Sequence, residues 1–217
     1  MKLLLENWRK LLKEDEASGV HWNMRGEAGL REDGIPEIQF EIEIDPDQDL
    51  ESFISEIEME LIETIYHEVT HLGQEEMNFR KVDPEEVQYY GSRNEVEAFA
   101  SGMLAKARAT ETPESEVVRY YLEKQVEMGR LERKSFQKVM DLWLEKMKEL
   151  KPEIEQAKKK VAEILTPQLL DIIRQTKGEK KVDWELAPIV WDFLADPEDE
   201  SFTPSVFIIR DPKTWPR

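Results

Sequence analysis

The chain of 217 residues contains no cysteine, which excludes disulfides, thiolate metal sites, iron–sulfur clusters and cysteine nucleophiles together. Long apolar runs are missing too. Leu3, Leu4 and Leu5 are followed at once by polar residues, too few for the apolar core of a signal peptide, and no later segment approaches a membrane span. A soluble, cytoplasmic protein with no membrane partner is the expectation. Basic charge is scarce, with 30 Lys and Arg against 48 Asp and Glu, for a formal net charge of −18. Such a surface repels phosphate backbones, so nucleic acid is not an expected partner. A basic substrate suits it electrostatically, although high acidity also serves solubility alone. Histidine is scarce as well, occurring only at positions 21, 67 and 71.

What is present reads mainly as helix. Leu3, Leu4, Leu5, Trp8, Leu11 and Leu12 mark an amphipathic helix over 2–14, ended by Asp15 to Gly19. The period then changes. Ile38, Phe40, Ile42 and Ile44 alternate with polar residues, as in a strand buried on one face, and Asp45-Pro46-Asp47 ends it. An earlier strand near Val20 to Met24 would join it through the glycines at 26, 29 and 34. From Leu50 to Gly73, apolar residues recur at helical spacing, and Gly73 suits a helix stop. Further helices are expected over 93–109, 116–127, 131–150 and 152–164, with Thr166-Pro167 opening one more that ends near Gly178. The stripe Phe136, Val139, Met140, Trp143 and Met147 reads as core. Lys158-Lys159-Lys160 reads as a solvated helix face. The proline-broken, aromatic segment from Trp184 to Trp215 reads as an irregular tail over the helical body.

Two of the three histidines sit four residues apart in His67-Glu68-Val69-Thr70-His71, inside the helical stretch. Positions i and i+4 share a helix face, so both imidazoles can reach one metal ion. Glu68 points to an adjacent direction, where a carboxylate can take a proton from a metal-bound water. Zinc lowers the pKa of such a water to about 7 and polarises the carbonyl under attack. A catalytic zinc takes three protein ligands and keeps one position open. With cysteine absent, the third ligand is His21 or a carboxylate. Histidine and carboxylate ligands make one zinc ion the leading choice of metal.

Asn94-Glu95-Val96-Glu97-Ala98-Phe99-Ala100, which begins 23 residues after His71, resembles the second helix of the gluzincin metallopeptidases. In thermolysin-like members of that clan a glutamate of this helix completes the site, and an Asn-Glu pair stands at the equivalent place. The resemblance spans residues 37–101. It implies Glu95 as third ligand, Glu68 as general base and a peptide or protein as substrate. Glu95 and Glu97 differ by about 200° around a helix, so they cannot both face the metal. One departure is plain: where thermolysin-like enzymes carry an aspartate that orients a histidine, this chain has Phe99. The Glu-x-Glu-Ala pattern and the fragment Met1 to Arg9 also resemble small phage-encoded proteins, which would place the chain in a host cytoplasm.

The resemblance also implies an antiparallel strand bordering the cleft, and the 37–44 strand stands in the right order. If its polar face, Glu37, Glu41 and Glu43, looks into the cleft, basic peptides are favoured. Tyr89, Tyr90 and Arg93 precede the Glu95 helix; Tyr90 is taken as the donor to a developing oxyanion. The expected fold is α+β: a small sheet, an active-site helix and a ligand helix, then a mainly helical C-terminal half. Its parts are an N-terminal helix within 1–16, a zincin-like catalytic core over 17–110, and a helical region over 111–217 packed on that core as one structural unit. The expected function is a zinc-dependent metallopeptidase. The alternatives are a viral-type structural or binding protein that keeps the zinc-binding scaffold without catalysis, and an acidic mimic of DNA.

Overall fold

A computed structural model describes residues 22–30, 36–44, 49–74, 89–176, 180–185 and 205–210. The expected helix over 2–14 and His21 lie outside them. The fold is α+β. Strands β1 (Trp22–Leu30), β2 (Pro36–Ile44), β3 (Lys180–Glu185) and β4 (Ser205–Arg210) form one sheet in the order β1-β2-β3-β4. Every neighbouring pair is antiparallel. The helices are α1 (Ile54–Leu72), α2 (Arg93–Ala109), α3 (Glu114–Glu127), α4 (Phe136–Glu149) and α5 (Pro152–Thr176).

Alternation along β2 sends Ile38, Phe40, Ile42 and Ile44 to one face, where all four are buried. They meet Ile57, Leu61, Ile65 and Val69 of α1, spaced every four residues, and Val161, Leu165 and Leu169 of α5. A second core joins α2, α3 and α4 around Phe99, Met103, Leu122 and the fully buried Trp143. The Phe136–Met147 stripe of α4 takes part in it as expected. Helix α2 lies between the two cores. Its small residues let α1 come close: a Cβ on Gly102 would stand 2.8 Å from the Glu63 carbonyl oxygen. That approach brings the start of α2 beside the histidines of α1.

Four expectations need correction. β1 runs through Gly26 and Gly29 to Leu30, so these glycines belong to the strand and not to a connection. Helix α5 continues through Pro167 as one element of 25 residues. Proline removes the bond to the carbonyl of Glu163, but Pro167 and Glu163 both lie on the exposed side, where water can serve that carbonyl. β4 lies within the segment read as an irregular tail, and β3 runs into its start at Trp184 and Glu185. Last, Lys158 is not solvated. Its ammonium is buried and donates to Ser101 Oγ of α2 and to Glu155 Oε1, each at 2.9 Å. Its neighbour Lys159 is exposed.

Candidate metal centre

Helix α1 places His67 and His71 one turn apart on the side facing α2, and α2 places Glu95 in its first turn. The three side chains meet. His67 Nε2 and His71 Nε2 are 3.1 Å apart, His67 Nε2 is 3.5 Å from Glu95 Oε2, and His71 Nε2 is 3.6 Å from Glu95 Oε1. One ligand atom from each lies within 4.8 Å of the others. A tetrahedral zinc with bonds of roughly 2.0–2.1 Å has donor–donor edges of about 3.3 Å, and the closest approach of each pair of these side chains is near that length. The polar groups also fit a cation. Glu95 Oε2 is buried and makes no hydrogen bond among the described residues. Two imidazole nitrogens that face each other at 3.1 Å cannot both offer a proton, but both can offer a lone pair. The residues present therefore suit a zinc ion.

Electrostatics point the same way. Burial works against the Glu95 charge, yet the polar contacts and charge of His67 and His71 outweigh it and hold the carboxyl at about 2. Burial depresses His71, but Glu95 and the Glu68 charge prevail and its pKa is raised. Glu97, the other candidate on this helix, faces elsewhere and pairs with Lys146 at 3.6 Å.

Glu68 is buried beside this group, and burial pushes its carboxyl up, against the pull of His67 and His71. That is the direction a general base working near neutrality requires. Strand β1 fixes it: the Ala28 backbone N–H donates to Glu68 Oε2 at 2.8 Å. Gly26 makes the approach possible. A Cβ there would stand 2.5 Å from Thr64 Cγ2 and 2.9 Å from both Glu68 Cγ and Glu68 Oε1. Gly26→Ala is therefore expected to lose about 1–3 kcal/mol through overpacking and to push Glu68 out of place. Urea unfolding reads the first effect. Zinc affinity that falls further than the folded fraction, measured by competition with a chelator, reads the second.

The aromatic residues divide differently from expectation. The Tyr90 hydroxyl donates to Gln125 Oε1 at 2.8 Å within the second core, and its carbonyl accepts from Trp143 Nε1. Tyr89 is the tyrosine at the site. Burial raises its pKa, and so do the Glu95 charge and the hydrogen bond between its hydroxyl and Glu95. Arg93 is exposed at the first position of α2. Phe99 lies edge-on to the His67 ring at 4.5 Å and stacks on Trp143 at 4.6 Å. An apolar wall therefore stands where a carboxylate was the pattern to compare.

The cleft strand also changes. β2 is paired on both sides, by β1 and β3, so its edges are closed to a further strand. The sheet edge next to α1 is β1, and Ala28, with its N–H turned to Glu68, marks that edge. Two features of the site gave no signal in the sequence: the Ala28 N–H, which is backbone, and Gln74, whose Oε1 lies 3.2 Å from His71 Nδ1. Among the described residues no helix is long and apolar enough to cross a membrane. Comparison with family models, with curated proteins and with solved structures found no match to this chain.

Proposed function

We propose that the chain is a zinc-dependent metallopeptidase whose ion is held by His67, His71 and Glu95. The observation that carries this reading is the convergence of these three ligands from two helices with a buried carboxylate, Glu68, beside them. Zinc, when bound, would polarise the peptide carbonyl and make water acidic enough to react near neutral pH. The remaining steps belong to the chain. Ala28 holds Glu68 Oε2, so Oε1 is the atom that takes the proton of the attacking water. The same carboxyl then returns that proton to the departing nitrogen, which completes hydrolysis without a further acid. Tyr89 replaces Tyr90 as the hydroxyl available beside the reacting carbonyl. The outward edge of β1, which pairs with no further strand among the described residues, suits an extended peptide adding to the sheet.

Purified protein, reconstituted with zinc, should hold one ion and cleave a broad peptide library, and chelation should abolish cleavage. Less than about a tenth of an equivalent of zinc would sink the reading. One bound ion with no cleavage would move the chain to the binding-scaffold alternative. The ligand set has its own test. Glu95→Ala should weaken zinc binding by more than the roughly 10–100-fold typical of changes outside the ligands, whereas Glu97→Ala should leave it unchanged. The reverse order of effects would reassign the third ligand.

A further inference from the structure

His71 is oriented through two hydrogen bonds that begin on the backbone of the neighbouring helix. Gln74 Nε2 donates to the carbonyl oxygen of Asn94 at 3.0 Å, and Gln74 Oε1 lies 3.2 Å from His71 Nδ1. A carbonyl has no proton to give, so the Gln74 amide must turn its NH2 toward Asn94 and its oxygen toward His71. That oxygen can only accept, which places the imidazole proton on Nδ1. A neutral His71 then carries its lone pair on Nε2, the atom that faces His67 Nε2 and Glu95. Because Asn94 directly precedes Glu95, the same side chain ties the end of α1 to the residue that delivers the third ligand.

We infer that Gln74 is a positioning residue of the metal centre: it sets the tautomer and ring angle of His71 and couples them to the start of α2. The inference rests on the reading of His67, His71 and Glu95 as ligands. A carboxylate at Phe99 is not available for this task, since that residue packs an aromatic edge against the other histidine. The amide does the work without adding charge. It leaves the site one negative charge poorer than a carboxylate would.

The test uses the full chain. Gln74→Leu removes both hydrogen bonds at similar volume, and Gln74→Glu restores only the acceptor. Zinc affinity is measured by competition with a chromophoric chelator, coordination by the absorption bands of the cobalt(II) form, and folding by thermal unfolding of the metal-free protein. Gln74→Leu is expected to bind zinc about 10–100-fold more weakly and to alter the cobalt bands, with metal-free unfolding nearly unchanged. Gln74→Glu should recover most of the affinity. The inference is overturned if Gln74→Leu binds zinc within about twofold of wild type with the same cobalt spectrum. It is overturned equally if the lost affinity only tracks lost folding, which is what a purely structural link between the helices would produce. Zinc bound normally by the wild type separates these failures from failure of the site; a wild type that binds no zinc overturns both readings.

Discussion

Glu68→Gln is expected to keep its zinc and lose at least about a hundredfold in hydrolysis rate, the scale of a removed general base. The substitution is nearly isosteric, and the Gln carbonyl oxygen can still accept from the Ala28 N–H that now holds Oε2. The packing of β1 on α1 is therefore preserved. What disappears is an atom able to take a proton, since the Oε1 position becomes an NH2 group. The outcome separates two roles that loss of a ligand would confound: a defect in kcat with zinc content unchanged belongs to proton transfer, and a defect that zinc excess repairs belongs to binding. Activity retained within about tenfold of wild type would place the base elsewhere and remove the mechanism. Gly26→Ala offers the complementary disturbance, because it leaves the carboxylate intact and displaces it.

Why some of this centre could be read along the chain and some could not follows from the range of each interaction. His67 and His71 are local: four residues on one helix suffice to bring two imidazoles together. Glu95 needed a resemblance to single it out from Glu97, and in the structure Glu97 turns to Lys146. The rest depends on contacts between distant segments. Ala28 reaches Glu68 across 40 residues through a backbone group that no side-chain pattern reveals. Gly26 reads along the chain as part of a connection and Gly102 carries no signal of its own; their purpose emerges only when α1 lies against them. Tyr89 and Tyr90 are adjacent and chemically identical, so only packing decides that one bonds Gln125 and the other Glu95.

The sheet divides in the same way between local and distant interactions. The alternation in β2 is clean because one face is buried, and it is legible in the sequence. β3 takes its order from pairing with β2, more than 130 residues earlier, and β4, which lies in a stretch crowded with prolines, takes its order from pairing with β3. Proline at 167 is a poor interior helix residue by local rules, yet burial of Leu165, Leu169 and Ile173 against α1 and the sheet continues the helix past it. Burial of each such side chain stabilises by about 1.5–3 kcal/mol, comparable to the roughly 3 kcal/mol that an interior proline costs.

The largest effect on stability is expected at Lys158. Its ammonium and the Glu155 carboxylate are both nearly excluded from solvent, at 4% and 2% side-chain exposure, and Ser101 Oγ bridges them to α2. Burial lowers the Lys158 pKa, and the charge and hydrogen bond of Glu155 oppose that shift. Lys158→Met keeps the aliphatic stem and strands a buried carboxylate whose Oε2 already has no hydrogen bond among the described residues. Breaking one side of such a pair costs about 3–5 kcal/mol, so the urea midpoint of the metal-free protein should fall sharply. Replacing both, as Lys158→Met with Glu155→Leu, removes the uncompensated charge together with its partner and should recover most of the loss. The double variant decides between two accounts. Recovery means that the single variant suffers from an unpaired charge. No recovery means that the ion pair and Ser101 specify how α5 seats against α2. In the second case zinc affinity should fall with stability, because α2 carries Glu95 into the centre two turns before Gly102.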